Sequence, residues 1–312
     1  LILLLDPKTH DTEEVLLMKI LEQERTAVEY LRACAPTWPL LSDVPLVGLI
    51  LGSGLGSLAK EIEEPITIPY ADIPGFPLSH VSGHAGNLVL GRIGRRAVAA
   101  LAGRAHLYEG WSPVQATLPV RVLAGLGVKE LIVSNASGGI NPRFRSGQVF
   151  LIDQHIDAMR KSPFSEQEIA APIDRVTASD AELLRYGHHR RVGGTYDQEM
   201  MERAESVALS LGFSLHRGTY LATLGPTYET RAEYRMFARL GADMVGMSTV
   251  PEVLVARSRA MRVLAFSIVT NVATPDAPTK TEHSEVLDWS KQAQSRLVPL
   301  IKTLLNTPKP SP

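Results

Sequence analysis

The sequence has one cysteine, Cys34. That excludes an internal disulfide and a cysteine-rich metal site, and makes a reducing cytoplasm the expected compartment. It has no basic tract: 32 Lys+Arg stand against 33 Asp+Glu, so nucleic acid is not an expected partner. It has no long hydrophobic run. Leu1 to Leu5 is too short for a signal-peptide core or a membrane span. Heptads, solenoid periods and low-complexity tracts are also missing. What is left is a 312-residue chain, enough for one large or two ordinary domains.

What the chain does have is a series of apolar runs that end in small residues. Asp11 to Cys34 has helical periodicity, with Val15, Leu16, Met18, Ile20, Leu21 and Val28 on its apolar face. Leu46 to Leu51 is continuously apolar, the mark of a strand buried on both faces. It leads into Gly52-Ser53-Gly54-Leu55-Gly56, where Ser53 offers a hydroxyl and an N–H to an anion. The spacing lacks G-K-[ST] and does not match a dinucleotide fingerprint; a plain glycine turn reads equally well. Short strands are predicted near Leu88 to Ile93 and Ala97 to Leu101. A helix is predicted over Pro113 to Leu126, and a strand over Lys129 to Ser134 ending in the turn Asn135-Ala136-Ser137-Gly138-Gly139. Further strands are expected at Val149 to Ile152, Thr219 to Leu224 and Val263 to Val269. Helices are expected over Tyr196 to Leu211, Arg231 to Leu240 and Ser284 to Leu305. In open α/β sheets, ligands bind at such strand ends.

Three stretches carry chemistry. In Gly103 to Gly110, Arg104, His106 and Tyr108 alternate, so an extended segment projects all three to one side. A guanidinium fork, an imidazole and a phenol together suit a phosphate next to a sugar; a solvated strand edge is the alternative. Gly225 to Thr230 places Tyr228 and Glu229 at a strand end. There Glu229 serves either a ligand or the N-terminus of the following helix. Gly241 to Val253 reads GADMVGMSTVPEV. It is a strand, then Met247, Ser248 and Thr249 in a turn, then a helix opened by Pro251-Glu252. Backbone N–H groups converge at such a helix start and an anion can bind, although an ordinary strand–turn–helix junction looks the same. Between Asn271 and His283, Pro275 and Pro278 lie in a polar loop that reads as a lid.

In this order and number, the motifs G-S-G-L-G, G-H-A-G, G-R-x-H-x-Y-E-G, the Asn135 to Gly139 turn, G-P-T-Y-E-T, M-S-T-V-P-E-V and Thr270-Asn271 resemble the trimeric purine nucleoside phosphorylases. The resemblance implies one α/β domain, taken as 1–306, around a mixed, barrel-like sheet flanked by helices; the proline-rich tail Thr307 to Pro312 reads as disordered from its residues. It implies a cytoplasmic homotrimer. The reaction implied is reversible phosphorolysis of 6-oxopurine nucleosides such as inosine and guanosine, with phosphate as co-substrate and neither metal nor organic cofactor. By similarity, Ser53, His84, Arg104, His106, Ala136 and Ser248 bind phosphate. Tyr108 and Met247 line the ribose, His283 meets the 5′-hydroxyl, and Tyr228, Glu229 and Asn271 form the base site. Asn271, Glu229 and His106 are the implied catalytic residues. The family's N-P-L and G-P-N-D segment is replaced here by Met159 to Thr195. In the family that region lends an aromatic residue to a neighbouring subunit's sugar pocket, and Phe164 is the candidate. The alternatives are a phosphorylase for xanthosine or 5′-methylthioadenosine, or an inactive nucleoside-binding homologue.

Overall fold

The run Val47-Gly48-Leu49-Ile50-Leu51 is buried at every position and forms β1 (Val47–Leu51), bonded in parallel to a strand on each side. A strand without a polar face belongs in the interior of a covered sheet. The computed structural model describes residues 7–38, 45–52, 55–79, 81, 85–164, 194–272 and 283–307. The stretch at 273–282 that reads as a lid and the tail from 308 lie outside the described residues.

The remaining strands are β2 (Glu63–Pro69), β3 (Asn87–Ile93), β4 (Arg96–Ala102), β5 (Glu130–Gly139), β6 (Val149–Asp157), β7 (His216–Ala222), β8 (Met244–Gly246) and β9 (Arg262–Val272). Their order is β2-β3-β4-β1-β5-β8-β7-β6-β9, and β9 pairs again with β5. The second pairing closes β5, β8, β7, β6 and β9 into a ring, leaving β2-β3-β4-β1 as a wing. Parallel and antiparallel ladders are mixed. This is the barrel-like sheet the resemblance implied. One contiguous apolar cluster runs through wing and ring, from Ala27 to Leu305.

Helices cover the sheet. In α1 (Pro7–Cys34), Ile20, Ala27, Val28 and Leu31 are buried, the spacing of one helical face. Its Glu24 accepts two bonds from Arg259, at 3.1 and 2.7 Å. The helix expected over Pro113 to Leu126 is two helices, α2 (Pro113–Ala116) and α3 (Leu118–Gly125), with Thr117 between them. Pro119 explains the break: it lacks an N–H and fits only in a first turn. The others are α4 (Gln198–Ser210), α5 (Arg231–Arg239), α6 (Val250–Ser258) and α7 (His283–Asn306). Among the described residues, no helix is long and apolar enough to cross a membrane.

Two strand expectations need correction. Asn135 to Gly139 is not a turn; it continues β5. Its residues are small, and Gly138 and Gly139 pair with β9 on one side and β8 on the other. Likewise Asp153 to Asp157 prolongs β6, paired with β7 to its end. The edge strand β2 had no counterpart in the sequence reading, because its exposed face and Pro65 mask the alternation. Phe164 packs, half-buried, against this chain's own core.

Away from the strand ends that open on a cavity, charge fixes the ladder. Glu130 starts β5 and is buried beside Arg96, whose Nη2 donates to its Oε2 at 2.6 Å. Arg262 starts β9 and reaches Glu130 at 3.4 Å, while its Nε and Nη2 each donate to Asp197 at 2.7 Å. Asp197 also caps α4 by accepting from Met200 N. Glu130→Ala is expected to lower stability by about 3–5 kcal/mol, because Arg96 stays buried without its carboxylate. Glu199→Ala, at the half-exposed rim of the same cluster, should cost less than about 1 kcal/mol. Urea midpoints compare the two; equal losses would deny the buried pair its role.

Candidate active site

A cavity of about 360 Å³ opens where the strand ends converge. Its wall takes Gly52 from the end of β1, Arg104, His106 and Tyr108 from the segment after β4, and Asn135 to Gly138 from β5. Pro226, Tyr228 and Glu229 follow β7, Tyr234 comes from α5, Val245 to Ser248 lead from β8 toward α6, and Thr270 and Asn271 end β9. Of the residues singled out in the sequence, Arg104, His106, Tyr108, Ala136, Tyr228, Glu229, Met247, Ser248 and Asn271 all line this one space. Ser53 and His84 lie outside the described residues. His283 begins α7, and its side chain is outside the description.

Arg104 is only 5% exposed, so its charge needs partners in place. Its Nη1 donates to Glu252 Oε2 at 2.9 Å, to Thr249 Oγ1 at 3.0 Å and to Ser248 Oγ at 3.2 Å. Nη2 donates to the Ser134 carbonyl. Glu252 is 8% exposed; burial pushes its carboxyl pKa up, while Arg104 pulls it down. In the sequence Glu252 reads only as part of a helix start, and this pairing is not visible there. No local pattern tells a first-turn carboxylate that caps a helix from one that meets an arginine 148 positions away.

Thr249 has φ 76 and ψ −51, and Val250 N donates to Ser248 O at 2.9 Å. That is a γ-turn of the rare positive-φ kind. The Thr249 hydroxyl accepts from Arg104 and from Asn135 Nδ2 at 2.8 Å, and Asn135 Oδ1 accepts from Ser267 at 2.7 Å. A buried chain of hydroxyl and amide groups thus fixes the guanidinium from behind.

The segment after β4 is not extended throughout. Leu107 to Glu109 forms a 3-10 turn, because Glu109 Oε1 accepts from both His106 N and His106 Nδ1, at 2.8 and 2.9 Å. Even so, His106 and Tyr108 keep to one side: their rings stack with centroids 4.8 Å apart. Burial raises the Tyr108 phenol to about 12, which keeps it protonated.

On the opposite wall, Glu229 does not cap α5. Thr230 does so, paired with Glu233. The Glu229 carboxylate instead accepts from Thr223 Oγ1 at 3.1 Å and from Tyr234 OH at 3.2 Å. Asn271 is aimed by a bulge. Ser137 pairs with Val269 and Gly138 with Asn271, so Thr270 is an extra residue in β9. The Thr270 hydroxyl lies 3.2 Å from Ser137 O and 3.3 Å from Asn271 Oδ1. The hydroxyl has one proton for these two acceptors, and the shorter contact is to Ser137 O. Gly225, at φ +68, brings the loop after β7 against Met247: a Cβ there would sit 2.3 Å from the sulfur.

The wall therefore has a cationic, hydroxyl-rich end around Arg104 and Ser248, an aromatic middle at Tyr108, and an acceptor–donor pair at Glu229 and Asn271. The first end suits a dianion; the last suits the polar edge of a heterocycle. The phosphorylase superfamily model matches residues 46–306. Purine nucleoside phosphorylase 1 of Bacillus subtilis is 41% identical over 277 residues, covering 88% of this chain and 96% of that protein. Purine nucleoside phosphorylase of Bos taurus is 41% identical over 266 residues, covering 84% and 88%. A crystal structure of schistosoma purine nucleoside phosphorylase in complex with hypoxanthine superposes with TM-score 0.75 at 34% identity, covering 92% of this chain and 98% of that one.

Gly52 leaves room for the guanidinium. A Cβ at this position would lie 2.3 Å from Ser134 O and 2.8 Å from Arg104 Nη2. Gly52→Ala is therefore expected to push Arg104 off its anchors and weaken binding of inorganic phosphate at least tenfold, about 1.4 kcal/mol. Calorimetric titration with phosphate measures this, and an unchanged affinity would separate Gly52 from the anion end of the cavity.

Proposed function

The chain belongs to the phosphorylase superfamily, among the purine nucleoside phosphorylases, which are pentosyltransferases, and we propose that its substrates are 6-oxopurine nucleosides such as inosine and guanosine. The observation that carries the reading is one cavity with a buried guanidinium at one end and the Glu229–Asn271 pair at the other.

Breaking an N-glycosidic bond leaves positive charge on the sugar and negative charge on the departing purine. A phosphate dianion beneath C1′ stabilises the first and then captures it. In this reading Arg104, Ser248 and the Ala136 backbone hold the phosphate, with His106 kept in orientation by Glu109. Ser53 and His84 complete the set by similarity. Tyr108 and Met247 flank the ribose, with His283 at its 5′ end. Tyr228 lies along the base. Asn271 stabilises the leaving purine by donating to N7 or O6, an effect worth about 3–4 kcal/mol for a preorganised donor. The bulge at Thr270 supports that role, because it sets the amide on the cavity wall. Glu229, an acceptor on both oxygens when ionised, takes N1–H. The reaction so written needs phosphate as co-substrate and no metal or organic cofactor.

Adenine reverses the edge, with an acceptor at N1 and a donor at N6. Ionised Glu229 would face the N1 lone pair, and buried mismatches of this kind discriminate by roughly 10⁴–10⁵. The same argument disfavours a methylthioadenosine substrate. The enzyme is further proposed to act in the cytoplasm as a homotrimer. Tyr228 is 49% exposed, so the base end of the cavity is open on one side.

Base release from inosine should require phosphate, and release at the same rate without it would point to hydrolysis instead. Asn271→Asp should raise the ratio of adenosine to inosine kcat/KM, since a carboxylate accepts from N6 but cannot donate to O6. Equal losses on both nucleosides would show that Asn271 does not read the purine 6-position. Sedimentation tests the assembly: a stable monomer of full activity rules the trimer out.

A further inference from the structure

Glu229 is held by two hydroxyls that arrive from different elements. Thr223 follows β7, and its backbone N donates to Gly246 O at 2.8 Å, which locks it to β8. Its Oγ1 donates to Glu229 Oε1 at 3.1 Å. Tyr234 stands in the N-terminal half of α5, whose start is set by the Thr230–Glu233 box. Its ring rests, half-buried, against the cluster of Ile140, Leu221, Phe237, Ala242 and Val245, and its OH donates to Glu229 Oε2 at 3.2 Å. Neither hydroxyl moves without a strand end or a helix moving with it.

A carboxylate has about four lone-pair sites, two on each oxygen. Thr223 fills one on Oε1 and Tyr234 fills one on Oε2. Among the described residues nothing fills the second site on either oxygen, and the two lie side by side. A hydroxyl has a single proton to give: Tyr234 gives its proton to Glu229, and Thr223, with Glu229 at 3.1 Å and Gly246 O at 3.4 Å, has the carboxylate as the nearer and charged acceptor, so neither proton is spent on the ligand. Burial first, then the charge of Glu229, push the Tyr234 phenol pKa up, so it remains a donor.

We propose that Thr223 and Tyr234 are positioning residues for base recognition, holding the Glu229 carboxylate so that one lone pair of each oxygen faces the purine edge. The assignment rests on Glu229 being the acceptor for a 6-oxopurine. It makes a distinction that the acceptor role alone does not. A 2-amino-6-oxopurine carries two adjacent donors, N1–H and the 2-amino group, and needs both oxygens in place. A 6-oxopurine without the amino group needs one. Freeing either oxygen from its hydroxyl lets the carboxylate turn, and the two-donor base loses more.

The test uses the full chain with Tyr234→Phe, Thr223→Val and Thr223→Ser, assayed on inosine and guanosine with phosphate varied separately. Tyr234→Phe keeps the ring packing and Thr223→Val keeps the shape, so each removes only a hydroxyl. Both should lower guanosine kcat/KM by roughly 10- to 100-fold, the range for hydrogen bonds to a charged group. Inosine should fall less. The nucleoside KM should carry the change while the phosphate KM stays put. Thr223→Ser should restore the wild-type values, and guanine affinity by calorimetry should fall in step with guanosine kcat/KM. The assignment is overturned if the wild type is active on both nucleosides and Tyr234→Phe and Thr223→Val match it. It is overturned equally if phosphate and nucleoside KM rise together, which would mean general damage. If the wild type phosphorolyses neither nucleoside, the 6-oxopurine reading fails and takes this assignment with it.

Discussion

The parallel ladder between β5 and β9 constrains everything else. It runs from Glu130 opposite Arg262 to Gly139 opposite Val272 and closes the five-strand ring. At one end it draws Glu130, Arg96, Arg262 and Asp197 into a single ion cluster. At the other it delivers Asn135, Gly138 and Asn271 to the cavity wall. Side chains alternate across a strand, so a slip of one residue would turn every one of these groups to the opposite face. The register needs no slip to place Asn271, because the extra residue at Thr270 re-aims the last step locally.

Among the described residues, arginine is buried with glutamate twice, and the outcome depends on where. Arg96 donates to Pro45 O and Glu130 among the strand starts, and that pair works as a rivet. Arg104 is held in the same way by Glu252 and the Ser134 carbonyl, but on the wall of a cavity. A guanidinium on the wall of a polar cavity is suited to an anion there, and its planar fork to two oxygens of one group. The internal carboxylate keeps the charge tolerable before an anion arrives. It also spares the guanidinium from reorganising when one does.

Much of this was legible in the sequence, for physical reasons that can be named. Interior strands such as Leu46 to Leu51 showed because burial on both faces forbids polar residues. Arg104, His106 and Tyr108 showed because three ligand-type side chains recur at short spacing, although the 3-10 turn that groups them did not; it depends on one carboxylate, Glu109, folding back on His106. The stretch Asn135 to Gly139 looked like a turn because small residues serve turns and crowded strands alike. Only the second pairing of β5 decides between them. Glu252, Thr223 and Tyr234 were not legible as site residues at all. Glu252 acts through Arg104, 148 positions away and brought close by the sheet, and a local pattern carries no trace of that. Thr223 and Tyr234 lie only six and five positions from Glu229, but the path of the loop between β7 and α5, which turns both hydroxyls onto the carboxylate, is not written in a residue pattern.

Thr249 shows what the closure sustains. A non-glycine residue at φ 76 stores roughly 1–3 kcal/mol of strain and persists only where its surroundings over-determine it. Here the determinants are countable. The hydroxyl accepts from Arg104 and from Asn135, the side chain is buried, and the next residue opens a nine-residue helix that starts with Pro251 in its first turn. Relaxing the backbone would carry Oγ1 away from both donors and leave the buried Asn135 amide short of an acceptor, a loss of about 1–3 kcal/mol, the same order as the strain. The buried bonds and the packing of the side chain together offset the strained turn. It also leaves Ser248 beside Arg104, with its N–H toward the Tyr220 hydroxyl and its Oγ on the guanidinium. The Ser248 hydroxyl at the cationic end of the cavity is thus set in place when the sheet closes.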